Sequence, residues 1–291
     1  MKKMKKVCII GVGMIGGSIG LALKKNKLAD RVVGIGRNPE KLKKAKLLKA
    51  IDEWDTDLEK GLKGAELVFI AIPAGLIPSM ADKAAAFLGK NAIITDAGSV
   101  KSQLVRKTEK MLANKVHFVG VHPIAGSETS GVENAKPDLF KDTACIITPT
   151  DKTNKKAFSL IRRIWQKMGA KVFVVSAEKH DKILAFTSHL PHLVSVSLMQ
   201  TYNMLNKSEE LSDDFVGPGF LDTTRIASGS PEMWKDICLE NSPAILKALG
   251  DFKKNILLLE NVIKAKKWKT LLRDLSKAKI VRDRLKKKRK K

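Results

Sequence analysis

Over the first 175 positions, short apolar runs rich in Val and Ile alternate with stretches in which apolar residues recur every three or four places. A run of four to eight apolar residues bounded by turn formers marks a strand buried on both faces, and the wider spacing marks an amphipathic helix. The runs predict strands at Lys6–Ile10, Arg31–Ile35, Glu66–Ile72, Ala92–Asp96, Phe118–Val121, Cys145–Thr148 and Val172–Val175. Between them the spacing predicts helices at Met14–Lys25, Pro39–Leu48, Ile77–Leu88, Val100–Ala113 and Lys155–Met168. Strands alternating with helices predict a parallel sheet made of βαβ units. After about Ser176 the strand pattern stops. Long helices are expected at Glu178–Leu205, Pro231–Glu240 and Ala244–Lys267, the first two joined by the turn-rich GPGFLDTTRIASGSP. The expected architecture is an α/β domain over residues 1–175 followed by an all-α domain over 176–291. Apolar stretches such as ILLLENVI around Leu257 exceed what a small helical domain can bury alone, which predicts a homodimer through the helical half.

The first strand-to-helix junction indicates what the α/β half binds. In VCIIGVGMIGGSIGLAL (Val7–Leu23), Gly11, Gly13 and Gly16 form GxGxxG directly after a β-branched run and directly before a helical one. That context makes it the turn of a Rossmann-type dinucleotide-binding domain. One glycine makes the turn, one lets the backbone approach a pyrophosphate, and one lets helix and strand pack closely. The phosphates then sit on free N–H groups of the helix N-terminus. Gly11, Gly13, Met14, Ile15 and Gly16 are thus the expected cofactor contacts, joined by Arg37 after the second strand and Pro73 after the third. A Lys-rich start before an uncharged run also resembles a secretory signal or a membrane anchor. Here Lys24 and Lys25 follow directly with no small-residue cleavage site, and the run is short for a membrane span. At the end of the second strand, VVGIGRN has Gly36 where NAD-binding folds carry an acid for the ribose 2′-hydroxyl, and Arg37 beside it. A carboxylate there would repel a 2′-phosphate, whereas a glycine and a guanidinium would not. NADP is therefore favoured over NAD, although an arginine in this position also stacks on the adenine of NAD.

Composition and charge alter this picture little. Hydrophobic residues make up 44%, as in ordinary globular proteins. Cys8, Cys145 and Cys238 are odd in number and unclustered, and read as small buried hydrophobes in a reducing cytoplasm. The formal charge is +25, and Lys264–Lys291 supplies +13 of it, with fifteen Lys or Arg against Asp274 and Asp283. Such a run attracts nucleic acid or an anionic surface in some proteins. Aromatic residues are only 5%, however, and no RRM, KH or finger pattern interrupts it, so nucleic acid is not an expected partner. The run reads as a solvated helix end with a frayed tail. No later stretch approaches eighteen uninterrupted apolar residues, and no membrane association is expected.

Four segments need a common explanation: DAGSVK (Asp96–Lys101), GVHPIAGSETSG (Gly120–Gly131), SHLPHL (Ser188–Leu193) and LDTTRIASGSPEMW (Leu221–Trp234). The first two follow strands, at the edge where doubly wound sheets bind ligands. Taken singly, each is ambiguous. Ser99 reads as a helix N-cap or as a site hydroxyl, His122 as a loop histidine or as a base, and Arg225 as a surface ion-pair residue or as an anion clamp. His189 and His192 have no third ligand cluster beside them, so no metal is expected.

Taken together, GxGxxG, DxGSVK, HPIAGSExSG, SHLPH and DxTRIAxxxPxxW, in that order, resemble the prephenate and arogenate dehydrogenase family of tyrosine biosynthesis, from about Lys6 to at least Lys264. The resemblance implies a nicotinamide-binding domain, then a helical substrate and dimerisation domain. It implies oxidative decarboxylation of prephenate, or alternatively of arogenate, with NADP or NAD. It also implies that His122 is the catalytic histidine with Ser99 as its partner, that Arg225 binds a substrate carboxylate and that His192 faces the substrate. Glu128 and Asp222 match acidic residues that shape the site. Two departures bear on function: Gly36 replaces the acid of NAD-dependent members, and neither the regulatory ACT domain that some members append nor a chorismate mutase segment is expected in this chain. A cofactor-sensing or nucleic-acid-associated protein is the alternative from another class. It explains the basic tail and leaves His122, Ser99 and Arg225 without a task.

Overall fold

In the computed structural model, which describes residues 3–112, 115–126, 129–209 and 213–290, strands and helices alternate from the start. The order is β1 (Met4–Ile10), α1 (Met14–Lys25), β2 (Ala29–Ile35), α2 (Pro39–Leu47), β3 (Glu53–Asp55), α3 (Leu58–Leu62), β4 (Leu67–Ile70), α4 (Ile77–Ala85), β5 (Ile93–Asp96), α5 (Ser102–Leu112) and β6 (His117–Val119). The six strands are all parallel, in the order β3-β2-β1-β4-β5-β6. The strand order reverses between β1 and β4, whose last residues Ile10 and Ile70 are register partners, so the ligand crevice of this fold opens at their carboxyl ends. β3 and α3 are additions to the expected elements, being too short for their spacing to register. The core is built from strand residues such as Val7, Ile9 and Phe69, all fully buried, with Trp165 packed edge-on against Phe69 and Phe140.

The expected single parallel sheet is in fact two sheets. The run predicted as one strand, Phe118–Val121, divides at Gly120. β6 ends at Val119, and β7 (Val121–Pro123) pairs antiparallel with β8 (Ala144–Ile147). After α6 (Lys155–Lys167), β9 (Lys171–Val174) joins β8 in parallel. A Cβ at Gly120 would lie 2.8 Å from both Thr148 Oγ1 and Val105 Cγ2, so the crossing between sheets has no space for a side chain.

Helices follow: α7 (Ala177–Leu184), a π-helical turn over Ala185–His189, α8 (Leu190–Glu209), α9 (Pro218–Thr224) and α10 (Pro231–Glu240). The helix predicted as continuous over Glu178–Leu205 thus contains a π turn. Pro191 explains it, because a proline has no N–H to give and its ring displaces the carbonyl four residues earlier, at Thr187 within the turn. α9 lies inside the stretch expected to be a turn-rich connection; Pro218 occupies its first turn, where a missing N–H costs nothing.

Contacts group the chain into two compact units, Met1–Ser242 and Pro243–Lys291, so α7 to α10 belong to the same unit as the parallel sheet. The second unit consists of α11 (Ser242–Lys264) and α12 (Trp268–Lys290). The expected frayed tail is therefore helical to Lys290. Ion pairs four residues apart, Lys264 with Glu260 and Lys279 with Asp283, line these helices, while Leu257, Leu258, Leu272, Leu275 and Leu285 are exposed. Among the described residues, no helix is long and apolar enough to cross a membrane.

Candidate active site

The glycine turn forms a cradle at the carboxyl end of β1. Gly11 has φ +91°, and a Cβ there would sit 2.5 Å from the Ala71 carbonyl oxygen. A Cβ at Gly16 would sit 2.0 Å from the Gly11 oxygen, so helix and strand meet at backbone contact. Gly13 is the N-cap of α1 and has nothing within 4 Å of its missing Cβ. Two glycines are thus demanded by packing, and the third leaves open space beside the first N–H groups of α1. That is the arrangement a pyrophosphate fits. Met14 and Ile15 are half-buried at this helix start, and Thr129 Oγ1 lies 3.9 Å from Met14 Sδ, which brings Thr129 over the cradle. Pro73 is exposed just after β4. Arg37 is exposed beyond β2, and a Cβ at Gly36 would meet only ordinary contact, 3.4 Å from Leu42 Cδ2. The backbone would accept a side chain at Gly36, so the missing acid is a feature of sequence and not of space.

One carboxylate ties the neighbouring loop to the strand that carries His122. Asp96, at the end of β5, is fully buried and accepts from the Val121 N–H (2.9 Å), the Gly98 N–H (2.9 Å) and Lys101 Nζ (2.5 Å). Lys101 is equally buried, and its ammonium also donates to the Val100 carbonyl at 2.9 Å. Asp96 therefore fixes β7 relative to the loop holding Ser99. Ser99, half-buried, is not the N-cap of α5, which starts three residues later at Ser102. The first N–H groups there, those of Lys101 and Ser102, donate to the two carboxylate oxygens of Asp181, each at 2.8 Å.

His122 sits in β7 and is 9% exposed. Its Nδ1 is 2.8 Å from His180 Nε2, and His180 Nδ1 is 2.8 Å from Asp181 Oδ1. Burial foremost, then the nearby His180, Lys101 and His189, hold the pKa of His122 well below the ordinary 6.5. His180 is likewise lowered by burial, against the opposing pull of Asp181. Asn241 Nδ2 donates to the Asp181 carbonyl at 2.9 Å and stands 3.2 Å from His189 Nδ1. Burial pushes His189 down to about 4. His189 meets Trp234 edge-on, and His192 stacks flat on the same indole with centroids 3.5 Å apart. Gly229 permits that stack, since a Cβ there would come within 2.6 Å of Trp234 Nε1. Four of the chain's five histidines thus form one buried series, all favoured as neutral bases. His180, Asp181 and Asn241 were not among the residues expected from sequence; the only signal was an adjacent His-Asp pair on the buried face of α7.

Asp222 lies on α9 and Arg225 directly follows that helix. Both are exposed and line a cavity of about 1070 Å³ with Met199, Asn203, Phe220 and Ser228. Among the described residues, neither His122 nor Ser99 lines it. His192 is the link: it is one turn before Val196, a lining residue on the same face of α8. Glu128 falls outside the described residues. Cys8 and Cys145 are fully buried, with the Cys8 thiol pushed up to about 11 by burial, and among the described residues no cluster has a metal-ligand set.

A neutral, buried histidine beside a dinucleotide cradle, with a guanidinium-lined cavity along the adjoining helix, can take a proton while an anionic substrate is held. The comparisons with known proteins agree with this chemistry. The family model described as prephenate dehydrogenase, nucleotide-binding domain, matches residues 19–174, and that described as prephenate dehydrogenase, dimerization domain, matches 176–277. A prephenate dehydrogenase of Bacillus subtilis is 35% identical over 97% of this chain and 77% of its own length. The crystal structure of the A. aeolicus prephenate dehydrogenase in complex with hydroxyphenyl propionate and NAD+ superposes with a TM-score of 0.92 at 36% identity, over 98% of this chain and 99% of that one. The Synechocystis arogenate dehydrogenase superposes at 0.81 with 29% identity, over 96% and 99%. Matched by both family models and similar to these relatives over nearly its whole length, the chain belongs to the prephenate dehydrogenase family.

Proposed function

We propose that this chain oxidatively decarboxylates prephenate with a nicotinamide dinucleotide as hydride acceptor. The observation that carries the reading is His122, a buried histidine favoured as the neutral base, with one ring nitrogen engaged by His180. Prephenate has a ring carboxylate, a pyruvyl carboxylate and a 4-hydroxyl. Loss of hydride from C4 and of carbon dioxide from C1 makes the ring aromatic, which drives the reaction. Gly11, Gly13, Met14, Ile15, Gly16, Arg37 and Pro73 would hold the dinucleotide, whose nicotinamide supplies the acceptor when bound. His122 Nε2 takes the hydroxyl proton, and Ser99 sets the direction of that hydroxyl. Arg225 pairs with a substrate carboxylate beside His192, and Asp222 shapes the anion pocket. Arg225→Ala is expected to raise KM by about 10- to 100-fold with kcat within a few-fold, because the counter-charge is lost in ground and transition states alike. Steady-state kinetics checks this.

Two finer features belong to the same reading. We infer that NADP is preferred over NAD, on the support of Gly36 and the exposed Arg37, although the A. aeolicus relative was crystallised with NAD+. A kinetic matrix of prephenate and arogenate against NADP and NAD tests both choices. The highest kcat/KM is expected for prephenate with NADP. A preference for arogenate, the substrate named for the Synechocystis relative, would replace the substrate assignment, and a preference for NAD would overturn the cofactor assignment. We also infer a homodimer formed through the helical part after about residue 175, supported by the dimerization-domain match and the exposed leucines of α11 and α12.

A further inference from the structure

The hydrogen bonds around His122 determine where its protons lie. Asp181 is 3% exposed, and three N–H groups point at its carboxylate: those of Lys101 and Ser102 at the start of α5, and His180 Nδ1. An ionised carboxylate only accepts, so His180 carries its proton on Nδ1. Neutral His180 then has a lone pair on Nε2, which must accept from His122 Nδ1–H across 2.8 Å. That leaves the lone pair of His122 on Nε2. The α5 N-terminus favours a negative charge at Asp181, so the series is anchored by a helix dipole and two backbone donors as well as by side chains.

From this we propose that His180 and Asp181 are positioning residues for His122, holding it as the Nδ1–H tautomer with its Nε2 lone pair presented to the substrate hydroxyl. The inference rests on His122 being the base. When the hydroxyl O–H bond breaks, the proton forms a new bond at His122 Nε2, and Nδ1–H continues to donate to His180. The resulting imidazolium is supported through His180 by the Asp181 carboxylate. Without the pair, the ring is free to carry its proton on Nε2 and present a donor where an acceptor is needed.

The experiment has two parts on the full-length protein. With histidines labelled in ¹⁵N, the NMR shifts of His122 at neutral pH are expected to show a pyrrole-type Nδ1 and a pyridine-type Nε2; a protonated Nε2 overturns the assignment without any variant being needed. His180→Leu is expected to lower kcat by about 100-fold, the low end of what a positioned general base contributes, with KM nearly unchanged, and to mix the His122 tautomers. His180→Gln, whose amide oxygen still accepts from Nδ1–H, should recover most of the loss. Unchanged kcat in a folded His180→Leu overturns the positioning role. If His122→Asn itself retains kcat, it is the catalytic reading that falls.

Discussion

Replacing His122 with Asn is expected to lower kcat by about 10²- to 10⁴-fold, the range contributed by a positioned general base, while leaving substrate KM within a few-fold. Asparagine keeps a polar side chain near His180 and loses the basic ring nitrogen, so binding and chemistry separate. Single-turnover rates with saturating cofactor measure the effect, and an unchanged rate would remove His122 from its role. The pH dependence follows from the same surroundings. Burial, His180 and Lys101 lower the histidine's affinity for protons, so the base form persists below pH 6.5, and the acid limb of kcat/KM is expected below that value. Above it, no loss of activity should arise from this residue.

Lys101→Met is expected to destabilise the protein by about 3–5 kcal/mol, the usual consequence of leaving one partner of a buried pair without its counter-charge. Lys101 and Asp96 are both wholly buried and 2.5 Å apart. With the ammonium gone, Asp96 retains two backbone donors, Gly98 and Val121, at a wholly buried position. A fall in Tm of about 10 °C follows for a chain of this size, measured by calorimetry. The double variant Asp96→Asn, Lys101→Met should lose less than the single one, because no orphaned charge remains. Equal losses would mean that packing and not charge dominates the site.

The parts of the fold legible from sequence are those in which period and length are unambiguous. α1 matches its expected bounds at both ends, because its glycines and terminal lysines bracket a clean helical run, and the parallel order follows from the alternation itself. β3, α3 and α9 have three to seven residues, too few for a period to stand out. The separate β7-β8-β9 sheet was not legible either, since an apolar run records that a strand is buried but not which neighbour it pairs with. The same division applies at the site. Gly11, Gly13 and Gly16 form a local pattern whose meaning is local. His180 and Asp181 act on residues 58 to 80 positions away, and nothing in the linear spacing of an amphipathic helix marks which buried polar face will meet a distant loop.

The carboxylate of Asp181 at the start of α5 bears on how divisible the protein is. The family models part at residues 174 and 176, and the glycine cradle, Ser99 and His122 all precede that point. The groups proposed to orient His122 come after it, on α7, and Asn241 adds a further tie from beyond α10. A fragment ending at the family boundary would carry every residue of the cofactor cradle and yet hold its base in no defined orientation. The boundary between the two family models therefore does not coincide with the boundary of packing, which comes after Ser242, and the proposed proton chemistry spans it. Shuffling this dinucleotide-binding half onto another helical partner would transfer the cofactor site without a working base.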